Sequence, residues 1–196
     1  MPSSLMEGEK AAHFLTERFD RQEGKKIHIQ TLAAMNPSSN SYEDLFDTAC
    51  RIGILPSEQK QLFLLTLMNV LGGNVDDHNK NFSFLMGTDG VWHTAPAYDY
   101  TFSVDPSAPG YMNRHCMTIN NKNSDIERSD LLELAKRYNI KGADAIIEKV
   151  ISVLGNYEQY AEAASVSPYW THKIKEEIGY RIDNMADISR QRGLGR

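Results

Sequence analysis

Residues Glu58 to Leu71 carry apolar side chains nearly all round a helical wheel: Leu62, Phe63, Leu64, Leu65, Leu67, Met68, Val70 and Leu71. A helix with one apolar stripe lies on a surface, whereas one that is apolar on every side must be covered on every side. The segment therefore predicts a central helix, capped at its start by Ser57 and stopped at Gly72-Gly73, where glycine accepts left-handed backbone. Leu62 to Leu71 is broken by Thr66 and Asn69 and is far shorter than the roughly 20 apolar residues a bilayer span needs, so its burial is in protein. The chain that leaves this helix hangs from a rigid support.

The rest of the pattern predicts a mostly α chain of the α+β class. Ser41-Tyr42-Glu43-Asp44 is a capping-box variant that opens a helix with Tyr42, Leu45, Ala49 and Ile52 on one face, ended by Gly53 and Pro56. Phe82 to Met86 and Val91 to Thr94 flank Gly87-Thr88-Asp89-Gly90, which reads as a small β-hairpin. Upstream, His13 to Phe19 and Lys25 to Gln30 read as a strand pair around the turn Gln22-Glu23-Gly24. A short strand is expected at about His115 to Asn120, followed by helices at Asp130 to Tyr138, Ala143 to Ala164, and Tyr169 to about Ser189 behind Ser167-Pro168. At 196 residues and 41% hydrophobic composition, one domain over residues 13–189 is expected, with a mobile leader at 1–12 and a frayed tail at 190–196.

Composition excludes some partners. A formal charge of −5 and a pI near 5.7 argue against direct nucleic-acid binding by the chain alone, because phosphate binding needs a basic face. Cys50 and Cys116 have no paired spacing and are expected to be free thiols in a reducing compartment. With no secretory pattern and no membrane span, the expected location is cytoplasmic. His13, His28, His93, His115 and His172 lack a paired ligand spacing, so zinc is not expected and no chemistry is assigned to them.

The chemistry is concentrated in Asn74-Val75-Asp76-Asp77-His78-Asn79-Lys80-Asn81 and in Asp99 beyond the hairpin. A carboxylate that takes a proton from a hydroxyl, an Asn in the same tight loop and a second carboxylate returned by a two-stranded excursion form a phosphoryl-transfer set. In that reading Asp76 is the base, and Asn81 and Asp99 are oxygen ligands for Mg2+. Each has a plainer alternative: a capping Asp after the helix, a hydrogen-bonding loop Asn, a turn Asp after Pro96. His78 either reaches a phosphate oxygen or braces the loop, Lys80 either meets a phosphate or is solvated, and Asp77 is expected to be solvated.

Five segments in order resemble the HipA-like serine/threonine kinases, the toxin components of bacterial toxin–antitoxin pairs. They are Glu17-Arg18-Phe19-Asp20-Arg21, His28-Ile29-Gln30-Thr31-Leu32, Asn74 to Phe84, Ala95-Pro96-Ala97-Tyr98-Asp99, and Met117-Thr118-Ile119-Asn120-Asn121-Lys122. The resemblance implies a protein-kinase-like carboxy-terminal lobe and ATP- and Mg2+-dependent phosphorylation of a protein, with an aminoacyl-tRNA synthetase as a possible target and a helix-turn-helix antitoxin as a partner. It implies that Glu17, Arg18 and Phe19 form the hinge against the adenine, that His78, Asn79, Lys80 and Asn81 face the nucleotide, and that Tyr98 flanks it beside Asp99. No glycine-rich phosphate loop or strand lysine precedes Glu17, so the amino-terminal ATP lobe is expected to be missing, and three explanations stay open: a fragment of a longer kinase, a split kinase with a separate amino-terminal lobe, or a truncated relative without the activity. Two alternatives stay open: a small-molecule kinase of the aminoglycoside phosphotransferase type, which shares the arrangement of Asp76, His78 and Asn81, and a non-catalytic truncated binding module.

Overall fold

The computed structural model describes residues 3–9, 11–109 and 112–185. It is a mixed α/β structure of three small antiparallel sheets and seven helices among the described residues. Strand β1 (Ser3–Glu7) pairs with β2 (Ala12–Thr16), β3 (Arg21–Gln22) with β4 (Lys25–Lys26), and β5 (His28–Thr31) with β6 (Ser83–Met86), which in turn pairs with β7 (Trp92–Thr94). The helices are α1 (Leu32–Met35), α2 (Tyr42–Arg51), α3 (Pro56–Gly72), α4 (Arg128–Arg137), α5 (Ala143–Leu154), α6 (Tyr157–Ala163) and α7 (Pro168–Asp183).

Helix α3 is the central element, as its sequence requires. Leu62, Phe63, Leu67, Val70 and Leu71 are buried in one core with Tyr42, Leu45 and Phe46 of α2, Leu131 and Leu134 of α4, and Ile147 and Val150 of α5. Its enclosure is less complete than the wheel suggests: Leu64 is exposed and Leu65 only partly covered. Pro56, rather than a capping Ser57, opens the helix, since the N-cap is Leu55 and proline's missing N–H and fixed φ suit the first helical position. Gly73 ends it at φ +74°, and a Cβ there would meet the Phe102 ring at 2.8 Å, so both conformation and space call for glycine.

Several expected elements are placed differently. The turn at Glu23-Gly24 exists, but it closes only the two-residue ladder of β3 and β4. The flanking segments pair elsewhere: β2 with β1, inside the stretch read as a leader, and β5 with β6. The His115 to Asn120 segment forms isolated bridges, Ser41 to Thr118 and Ile119 to Lys122, in place of a strand. The single helix expected over Ala143 to Ala164 is broken at Gly155-Asn156 into α5 and α6. The capping box at Ser41 and Asp44 is formed, and the hairpin of β6 and β7 turns over Gly87 to Gly90. The expected end near Ser189 and the tail 190–196 lie outside the described residues.

Candidate active site

The chain leaves α3 at Gly73 and is fixed residue by residue. Asn74 Nδ2 donates to Asn69 Oδ1 at 3.0 Å, and Ser103 Oγ accepts the backbone N–H of Val75 at 2.8 Å and of Asp76 at 3.0 Å. Asn81 Nδ2 donates to the Asp76 carbonyl at 2.9 Å, which closes the loop on itself. Asn79 Nδ2 reaches back to the Ser39 carbonyl at 2.8 Å, and the Asn79 carbonyl accepts from Ala33 N–H at 3.1 Å. The backbone of this loop is therefore held while the Asp76 side chain, 61% exposed, faces solvent.

Asp77 corrects the expectation of a solvated residue, because it is fully buried. Its Oδ2 accepts from the Tyr42 hydroxyl at 2.6 Å and from His115 Nδ1 at 2.9 Å, and its Oδ1 from the N–H groups of Cys116 at 2.8 Å and Met117 at 3.4 Å. Asn69 Nδ2 donates to the Tyr42 oxygen at 3.1 Å. A carboxylate with two oxygens accepts about four such bonds, so the site meets its full demand. Burial, then the neighbouring Asp77, pushes the Tyr42 phenol well above its ordinary pKa, so it stays a donor. His115 also departs from its expectation of no role. Arg181 Nη1 lies 3.2 Å from His115 Nε2, and a guanidinium only donates, so Nε2 accepts and the ring proton sits on Nδ1 toward Asp77.

Asp77 thereby clamps the segment 115–117 beside the exposed Asp76. Cys116 Sγ and His78 Nε2 each lie 3.9 Å from Asp76 Oδ1. Burial, followed by Asp77 and Asp76, raises the Cys116 thiol above its usual pKa. His78 Nδ1 is buried without a hydrogen-bond partner among the described residues, so His78 is not a fully braced structural histidine.

The other expected site residues divide into two groups. Tyr98 is tied to the loop: its hydroxyl donates to the Lys80 carbonyl at 2.7 Å and contacts Ser83 Oγ, and its ring lies 5.7 Å from that of Phe19. This brings the rings of Phe19 and Tyr98 and the backbone of Lys80 together. Lys80 is exposed. Arg18 is exposed and engaged with Asp20 at 2.6 Å, and the Arg18 hydrogen bond holds the Asp20 carboxyl down at about 2. Glu17 and Asp99 are exposed, and neither makes a hydrogen bond or ion pair with the other expected site residues. Asp99 adopts φ +53°, a strained left-handed conformation that Asp tolerates better than most residues.

Sequence reasoning does not assign Tyr42, Asn69, Ser103 or His115 to the site. Asn69 was the available signal: a polar residue in an all-round apolar helix must find a buried partner.

Oxygen donors for a cation are present in part. Asn81 Oδ1 is left free by the bond its Nδ2 makes, and the Asp99 carboxylate is exposed. Among the described residues no group of three or more His, Cys, Asp or Glu is arranged to hold a metal ion. Oxygen donors of this kind are what Mg2+ takes while it keeps several waters, but no contact joins Asn81 to Asp99 among the described residues.

The fold and this loop define a HipA-like C-terminal domain: the model of that family matches residues 1–157, and the chain belongs to it. A solved relative with the same fold is HipA from the Shewanella oneidensis MR-1 toxin–antitoxin complex of HipA, HipB and operator DNA, at a TM-score of 0.69 and 17% identity. The match covers 94% of this chain and 51% of that one, so the chain spans about half the length of the relative. No curated protein sequence matches it. Among the described residues no helix is long and apolar enough to cross a membrane.

Proposed function

We propose that this chain is the catalytic-lobe portion of a HipA-like protein serine/threonine kinase and acts as the toxin component of a toxin–antitoxin pair in the cytoplasm. The observation that carries this reading is the contrast between adjacent carboxylates. Asp77 is buried and saturated, while Asp76 is exposed on a loop whose backbone is pinned by Ser103 and Asn81. Asp76 is the base that orients an acceptor hydroxyl and takes its proton. Asn81 Oδ1 and the Asp99 carboxylate are the protein ligands for Mg2+. When bound, Mg2+ and ATP supply the transferable phosphoryl group and neutralise its charge. Phe19, through Tyr98, ties the hinge segment to the loop, and Lys80 offers a positive charge to phosphate.

The solved relative stands in a complex with HipB and operator DNA, which supports an antitoxin as partner here. The net charge of −5 supports DNA contact through that partner rather than by this chain alone. The protein substrate, with an aminoacyl-tRNA synthetase as the family's example, and a separate amino-terminal lobe belong to the same proposal. The test is phosphate transfer from labelled Mg-ATP to protein in the assembly that supplies the rest of the HipA fold. Transfer is expected; Asp76→Ala is expected to lower it by at least about a hundredfold, the scale of a lost acid–base group, and Asp99→Ala to lower it by removing a carboxylate ligand to Mg2+. Full transfer by Asp76→Ala overturns its role, and no transfer by any assembly favours the non-catalytic binding module.

A further inference from the structure

Behind the loop, on the far side of His115 from Asp77, lies a cavity of about 370 Å³ between α7 and the segment 113–126. Its volume falls within the roughly 300–1,000 Å³ of small-molecule sites. Part of its wall is apolar and drawn from the buried core: Val70, Ile126 and Met185. Its charged wall is balanced, with Arg114 and Arg181 against Asp125 and Glu177.

Those charges are unequally engaged. Arg181 Nε donates to Glu177 at 2.8 Å, and its Nη1 serves the Val70 carbonyl and His115. Arg181 Nη2 makes no hydrogen bond among the described residues, and Arg114 and Asp125, both exposed, are paired neither with each other nor with any other described residue. A simple anion here would meet Asp125 unpaired, and a simple cation would meet Arg114. A ligand bearing both charges avoids either repulsion and meets an opposite charge at each end, while an apolar side chain fills the core-facing wall.

We propose that this cavity binds a free α-amino acid with an apolar or aromatic side chain. Its carboxylate lies toward Arg114 and Arg181 Nη2, its ammonium toward Asp125, and its side chain against Val70, Ile126 and Met185. Because Arg181 also holds His115, and His115 holds Asp77, occupancy changes the setting of segment 115–117 beside Asp76. The site stands on its own geometry and does not depend on phosphoryl transfer by the chain.

The test uses the purified 196-residue chain and three probes that differ in the charges they carry: L-phenylalanine with both, N-acetyl-L-phenylalanine without the ammonium, and L-phenylalaninamide without the carboxylate. Titration followed by ligand-observed NMR is expected to show L-phenylalanine binding at least tenfold more tightly than either blocked form. Asp125→Asn, which keeps a residue tolerant of the φ of +52° at that position, should abolish discrimination against the N-acetyl form. Arg114→Gln should abolish discrimination against the amide. Absence of L-phenylalanine binding, equal binding of all three probes, or unchanged discrimination in the two variants overturns the site. Coupling is read separately as the alkylation rate of Cys116 in a Cys50→Ser background. A change of at least twofold on saturation with L-phenylalanine is expected, and an unchanged rate overturns the link through His115.

Discussion

At the residue scale, Asp76 and Asp77 have the same side chain and opposite tasks. The sequence marks Asp76 as the candidate base and leads one to expect a solvated Asp77; the burial of Asp77 is not legible in it, because its partners come from Tyr42, His115, Cys116 and Met117, far along the chain. The interruption of an apolar helix by Asn69 was the local sign that a buried polar network existed. The contrast predicts different costs for the same substitution. Asp77→Ala leaves a phenol, an imidazole N–H and backbone donors without an acceptor in a buried site, and should cost on the order of 3–5 kcal/mol, the range for breaking a buried charged network. Asp76→Ala removes an exposed carboxylate and should shift stability by no more than about 0.5 kcal/mol. Urea unfolding of both variants measures this, and an Asp77→Ala protein as stable as wild type would mean that the network is not formed.

At the element scale, periodicity located α2, α3, the β6–β7 hairpin and α4, while partner choice among the short strands was not legible. Ladders of two to five residues carry little register information of their own, so β2 and β5 take the partners that the folded molecule offers. The all-round wheel of α3 also overstated its burial. Leu67 is fully buried and Leu64 is 41% exposed, so Leu67→Ala should cost about 2–5 kcal/mol through lost burial and a cavity, and Leu64→Ala well under half of that. Equal losses on thermal unfolding would show that α3 sits differently. The start of α3 predicts a pH dependence. Glu58 Oε1 pairs with His93 Nδ1 at 2.8 Å, and Glu58 Oε2 accepts the Thr94 N–H at 2.7 Å, which joins β7 to the helix. The Glu58 bond raises His93 above its ordinary 6.5, so that contribution is full below about 6.5 and lost as pH rises through the raised value. The carboxyl of Glu58 is held below its ordinary 4.5: burial opposes this, and the bonds from His93 and Thr94 outweigh it, so its contribution is full above about 4.5 and lost as pH falls through the lowered value. The melting-temperature gap between wild type and His93→Gln should therefore be widest between about pH 4.5 and 6.5 and narrow on both sides, and a flat gap would rule the pair out as a contributor.

At the scale of the whole molecule, the described site is an open face. Asp76, Lys80, Asp99, Glu17 and Arg18 are exposed, and Arg18 is committed to Asp20. Phosphate contacts made in open water are screened and compete with hydration, whereas an enclosed site strengthens each of them. This chain spans about half of the solved HipA relative, and exposed groups leave a bound triphosphate open to water. Mg-ATP should therefore bind the 196-residue chain weakly, with a dissociation constant of about 1 mM or above, near −4 kcal/mol. Asp99→Ala should weaken it further by removing a carboxylate ligand to the cation, while Lys122→Ala, whose ammonium is held by Asp130 at 2.9 Å in a separate ion pair, should leave it unchanged. Calorimetry with Mg-ATP decides between this and a self-sufficient site: micromolar binding by the chain alone would mean that the exposed groups close around nucleotide without help, and binding indifferent to Asp99→Ala would move the cation elsewhere.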